Sequence, residues 1–90
     1  MPELYFSKKF IKQYQLLWKN QTKQAKKLEK LLEIFIQNPR HPILKTHALE
    51  GKLQGKFAFW VSWDLRVVFE WLDQNSVRFL LIGTHNQVYK

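Results

Sequence analysis

The sequence predicts an α+β fold: an N-terminal strand, a helical hairpin and an antiparallel four-stranded sheet. Three observations lead there. Two consecutive stretches in the first part of the chain place apolar side chains at helical spacing. The last third alternates apolar residues with period two, the pattern of strands with distinct faces. The links between those strands are short, which antiparallel neighbours allow. At 90 residues the chain is expected to be a single domain spanning 1–90.

Glu3-Leu4-Tyr5-Phe6 reads as a short strand, and Ser7 as the N-cap of the helix that follows. Phe10, Ile11, Tyr14, Leu17 and Trp18 form one helical stripe, with Lys8, Lys9, Lys12 and Lys19 off it toward solvent. Asn20 to Thr22 breaks the pattern. A second helix runs from about Lys23 to Gln37, its stripe made by Leu28, Leu31, Leu32 and Phe35. Asn38-Pro39 ends it, because the residue before a proline is pushed out of the helical region. So short a turn between two helices predicts an antiparallel hairpin.

Residues 39–56 form a connector punctuated by two prolines and two glycines. A loop of that length in so small a domain points to function. Three strands follow. In the first, Phe57, Phe59, Val61 and Trp63 alternate with Ala58, Trp60 and Ser62. In the second, Leu65, Val67, Phe69 and Trp71 alternate with Arg66, Val68 and Glu70. In the third, Val77, Phe79 and Leu81 alternate with Arg78, Leu80 and Ile82. Asp73 to Ser76 is a turn by composition, and a last short piece lies at Val88-Tyr89. One face of the sheet receives the helices. The other is expected to be partly open, lined by Trp60, Arg66, Val68 and Glu70, a surface suited to RNA.

Fifteen Lys and Arg against seven Asp and Glu give a net charge of +8, which implies a polyanionic or acidic partner. Residues 1–38 contribute +5 and residues 39–90 contribute +3, so the charge is not a detachable basic tail. The absence of Cys excludes disulfides, thiolate metal clusters and a Cys nucleophile. No apolar run is long enough to span a bilayer, and Met-Pro-Glu-Leu has no secretory pattern. A cytoplasmic protein with no membrane partner is expected.

No nucleotide-binding loop, dinucleotide glycine motif or metal-binding His pattern is present, and no metal or other cofactor is expected. The polar residues in suggestive places are His47, Asp64, Arg66, His85 and Tyr89. Histidine exchanges protons near neutral pH, and arginine suits phosphate through its forked donors. These are the parts of metal-free RNA cleavage: one group takes the 2′-OH proton, another protonates the leaving 5′-oxygen, and a cation stabilises the phosphorane. Lys45, Lys52, Lys56 and Trp60 are the candidate RNA contacts. Each residue also has a plain structural reading: a surface His, a turn-forming Asp64, an Arg66 paired with Glu70 or Asp64, a Tyr89 that covers the core. Composition and spacing leave both open.

Three ordered motifs carry a resemblance. Leu44-Lys45-Thr46-His47-Ala48-Leu49-Glu50-Gly51-Lys52-Leu53-Gln54-Gly55 is similar to the connector of the RelE/ParE superfamily of bacterial toxins, on its RelE/YafQ side. Trp63-Asp64-Leu65-Arg66-Val67-Val68-Phe69 resembles that family's Asp-x-Arg strand, and Leu81 to Tyr89 its terminal Ile-Gly-Thr-His segment. The resemblance implies a RelE-like microbial RNase fold and the toxin of a type II toxin–antitoxin pair. It implies metal-independent, ribosome-dependent cleavage of mRNA, and a cognate antitoxin as partner. It assigns His47 and His85 as acid and base, Asp64 as a catalytic carboxylate, Arg66 as the phosphate ligand and Tyr89 as a stacking or proton-transfer aromatic. YafQ-like sheets carry a further His where this chain has Trp60. Two alternatives share the fold: a ParE-like inhibitor of gyrase, which has no need of paired histidines, and a non-catalytic RNA-binding protein.

Overall fold

The computed structural model describes residues 1–88. The chain runs β1 (Glu3–Phe6), α1 (Lys8–Asn20), α2 (Thr22–Gln37), β2 (His47–Ala48), β3 (Phe57–Trp60), β4 (Leu65–Trp71), β5 (Ser76–Thr84) and α3 (His85–Val88). Short 3-10 turns at Pro42–Leu44 and Gly51–Leu53 shape the connector. The α+β class holds, with five strands rather than four, because His47 and Ala48 add a two-residue edge to the meander. The sheet order is β1-β5-β4-β3-β2, antiparallel except for β1, which pairs parallel to β5. None of the described helices is long and apolar enough to cross a membrane.

Ser7 caps α1 as its sequence predicts: its Oγ accepts from Phe10 N at 2.9 Å and donates to Leu80 O at 2.7 Å, tying the helix start to β5. Only Gln21 separates the two helices, which therefore fold back on each other. Their stripes meet the sheet through a cluster of phenylalanines. Phe35 of α2 packs edge-on against Phe69 at 5.1 Å and Phe79 at 5.3 Å, and Phe10 of α1 lies 5.7 Å from Phe79. Ile11, at the margin of the α1 stripe, is instead exposed.

Three expectations are corrected. β3 ends at Trp60, so Trp63 is not an inward strand residue but lies on a tight turn, 78% exposed. A bulge between Val68 and Phe69 makes Val68 pair with Leu81 but Phe69 with Phe79, so Leu80 is the extra residue. Beyond it the inward position of β5 passes from Leu81 to Ile82, which joins the helix-side core.

The third correction concerns the face turned away from the helices, which is covered rather than open. Val68 and Ala58 are fully buried there beneath Leu49, Leu53 and Val88. Packing there takes Leu49, Leu53 and Val88 out of water. β4 is thus buried on both sides.

Phe35→Ala removes the ring at the centre of the phenylalanine cluster. It is expected to cost about 3–5 kcal/mol, read as a lower urea midpoint, and to leave much of this small protein unfolded at growth temperature.

Candidate active site

Directly paired residues share a sheet face, so the register places the candidates. His47, Ala58, Val68 and Leu81 form one row across the sheet, and Trp60, Arg66 and Gly83 form the next. Both rows lie on the face away from the helices. The turn after β3 brings Asp64 to the same end, where its carbonyl accepts from His85 N at 3.2 Å. Asp64 and His85 are exposed, whereas His47 and Trp60 are half-buried.

Arg66 is the buried member, only 2% exposed. Its guanidinium carbon sits 3.8 Å from the Trp60 ring centre, and Nη1 donates to Ser62 O at 2.6 Å and to Leu65 O at 3.5 Å. Among the described residues, Nε has no hydrogen-bond partner. Neither carboxylate suggested for it by strand alternation is its ion-pair partner. Glu70 is engaged at the far end of β4, where Arg78 Nη2 lies 2.8 Å and Lys56 Nζ 3.9 Å from its oxygens. Leaving such a donor dry costs about 1–3 kcal/mol, and no side chain among the described residues neutralises this desolvated cation.

Lys45 reaches the site from the connector. Its φ of 49° is left-handed, a strained conformation for a residue with a Cβ. That turn carries Nζ to 4.8 Å from the Trp60 ring centre and sets its carbonyl 3.3 Å from His47 Nδ1. Lys52 is exposed at the second 3-10 turn, and Lys56 is drawn toward Glu70, away from Trp60. Tyr89 lies outside the described residues.

His85 owes its position to a device that strand reading misses. Thr84 N donates to Gln87 Oε1 at 2.8 Å, and Gln87 N donates to Thr84 Oγ1 at 3.3 Å. This reciprocal capping box starts the four-residue α3, and the signal is Thr84-x-x-Gln87 in the sequence. Val88 then seals α3 onto the sheet.

These motifs and this fold can be set beside known proteins. The family described as "Bacterial toxin of type II toxin-antitoxin system, YafQ" matches residues 2–90. The chain belongs to the YafQ toxin family. The crystal structure of YafQ from E. coli strain BL21(DE3) superposes with a TM-score of 0.81 at 25% identity, covering 100% of both chains. The E. coli DinJ–YafQ complex gives 0.80 at 25% identity, again over 100% of both chains. The Staphylococcus aureus YoeB–YefM complex shares the fold, with a TM-score of 0.77 at 23% identity over 94% of this chain and 98% of that one. Sequence comparison with curated proteins gives no match. As a YafQ-family toxin with a RelE-like fold, the protein presents its motif residues on the covered face of the sheet and along its rim.

Gly83 lets α3 lie this close: a Cβ there would stand 3.2 Å from Gln87 Oε1 and 3.3 Å from Gln87 Cβ. Gly83→Ala is expected to push the capping box apart at a cost of about 1–3 kcal/mol. The readouts are a lower melting temperature and a shifted His85 imidazole resonance in NMR spectra. Unchanged values for both would show that α3 tolerates the methyl group.

Proposed function

We propose that this YafQ-family toxin is a metal-independent endoribonuclease that cleaves mRNA on the translating ribosome and is held inactive in the cytoplasm by a cognate antitoxin. One observation carries the catalytic part: a desolvated Arg66, with no carboxylate partner among the described residues, stands beside Trp60 in one row of the sheet, next to the row that holds His47 and two residues after Asp64. A buried positive charge is costly to keep and acts strongly at short range, which suits a phosphate that gains negative charge in the transition state. The DinJ–YafQ and YoeB–YefM complexes formed by structural neighbours support the antitoxin as partner.

In this reading the strand of RNA lies across the covered face and its rim. The sheet order sets His47 and His85 on opposite flanks, three strand spacings or about 14 Å apart across the sheet, and His85 lies four residues along the chain beyond Leu81, which ends the row of His47. A carbonyl only accepts, so a neutral His47 that donates from Nδ1 to Lys45 O would have its lone pair on Nε2. That is the form a general base needs. His47 Nε2 takes the 2′-OH proton, the 2′-oxygen attacks phosphorus, and the P–O5′ bond breaks. His85 gives a proton to the departing 5′-oxygen, leaving a 2′,3′-cyclic phosphate and a 5′-hydroxyl. Asp64 orients the His85 end. Arg66 stabilises the phosphorane from below, while Lys45 and Lys52 hold the backbone. Tyr89, by resemblance, stacks on a base.

Two variants test the assignment. His85→Ala is expected to lower cleavage by about 10²–10⁴-fold with little change in melting temperature. If it arrests growth like the wild type, His85 is outside the mechanism, and a gyrase target becomes the next reading. Arg66→Met keeps the stem and removes the charge. An apolar group of similar volume in place of a buried charge is often neutral for stability, so the fold should persist while ribosomal cleavage falls at least tenfold. Wild-type cleavage by this variant would return Arg66 to a purely structural role.

A further inference from the structure

β2 pairs only with Phe57 and Ala58. Beyond Ala58 the outer edge of β3 has no described strand beside it, and a cleft of about 320 Å³ opens there. Three separate parts of the chain build it: Lys27 and Leu31 of α2, Ile43 and Lys45 of the connector, and the turn that carries Trp60 and Trp63. Among the described residues no carboxylate lines it, and neither do the proposed proton-transfer groups His47 and His85.

The prominent wall is Trp63, 78% exposed. A tryptophan left in water on a loose loop would be unremarkable, but this turn is braced. Val61 N donates to Leu65 O at 2.8 Å, Leu65 N to Ser62 O at 3.3 Å, and Gln24 Nε2 to Ser62 Oγ at 3.3 Å. Arg66 Nη1 closes the set on Ser62 O at 2.6 Å. The backbone that carries the Trp63 ring is thus braced one residue before Asp64, with Lys27 and Lys45 lining the same cleft. Trp60 is already engaged by Arg66 and Lys45, so Trp63 is the indole offered to a visitor. A planar π surface with two ammonium groups and no acid complements a base joined to a phosphate. An apolar or acidic peptide would use the charge or the ring, but has no need of both at once.

Resting on the nuclease reading, we propose that this cleft binds one nucleotide of the single-stranded RNA next to the point of cleavage. Its base stacks on Trp63 and its phosphate sits between Lys27 and Lys45. Trp63 and Lys27 are then specificity and affinity residues outside the catalytic group.

The test uses the full chain and a labelled short single-stranded RNA, with antitoxin binding and cleavage of ribosome-bound mRNA measured in parallel. Trp63→Ala is expected to weaken RNA binding by about 5- to 100-fold at unchanged melting temperature, and Trp63→Phe to restore most of it. Lys27→Ala should lower affinity and flatten the dependence of log affinity on log salt by about 0.7. Lys12→Ala, an exposed α1 lysine outside the cleft, should do neither. Full RNA affinity in Trp63→Ala, while the wild-type protein cleaves, overturns the cleft and leaves the nuclease reading standing. Equal losses in Lys12→Ala and Lys27→Ala mean diffuse charge and also overturn it. Unchanged RNA affinity with lost antitoxin binding makes the cleft a protein-docking surface instead. A wild-type protein that neither binds nor cleaves RNA removes the nuclease reading, and the cleft with it.

Discussion

The guanidinium of Arg66 is held between the Trp60 ring, 3.8 Å from its centre, and the carbonyl of Ser62, 2.6 Å from Nη1. Burying that group requires cover on the face of β4 turned away from the helices. The cover comes from the connector and from α3, which place Leu49, Leu53 and Val88 over Ala58 and Val68. Each covering piece also delivers a site residue. The connector brings Lys45 and His47, α3 begins with His85, and the turn pinned by Arg66 ends in Asp64. The site is assembled by the same contacts that bury β4, so its geometry and its stability are one problem.

The two faces of β4 do different work. On the helix side Val67 and Phe69 join a core of phenylalanines that is apolar throughout. It supplies most of the area removed from water, at roughly 25 cal/mol per Å². The opposite face has only a small apolar cluster and carries the polar chemistry. Charge is arranged along that face as well. At the Lys56 end, Glu70 meets Arg78 and Lys56. At the Trp60 end, Lys45 and Arg66 are in no such ion pair among the described residues, and both cations lie against the Trp60 ring. In the proposed reading, those cations draw the RNA to that end rather than to the sheet at large.

The helices, the first strand and the meander are legible in the sequence because each has a single dominant periodicity. Ser7, the stripe ending at Phe35 and the stop at Asn38-Pro39 need no tertiary information. The bulge at Val68/Phe69 does: one residue moves Leu81 and Ile82 to opposite faces, and no local pattern records it. Trp63 looks like the next inward residue of β3 because alternation does not show where a strand ends. Arg66 reads as solvent-facing for its charge, yet its neighbour Trp60 and two carbonyls make a dry environment tolerable. The motif positions in the connector and the terminal segment are visible as residues. Their convergence is not, since it depends on which apolar groups the sheet leaves uncovered. The cap of α3 was available in Thr84-x-x-Gln87, but four residues after a strand are too few for periodicity to show a helix.

Lys45 connects strain to chemistry. A residue with a Cβ in the left-handed region costs about 1–2 kcal/mol, and glycine would relieve it. Leu44 before it is fully buried in the helix-side core, and His47 after it starts β2 on the opposite face. The chain must therefore reverse direction between those two anchors, and the left-handed turn accomplishes this within two residues. Glycine would make the same turn but would lose the ammonium over Trp60. It would also loosen the carbonyl that accepts from His47 Nδ1. A strained lysine at this position keeps the contact with His47 Nδ1, the positive charge beside Trp60 and the path of the connector in one geometry. Those are the conditions under which local strain persists in a fold, held by buried Leu44 on one side and strand-paired His47 on the other.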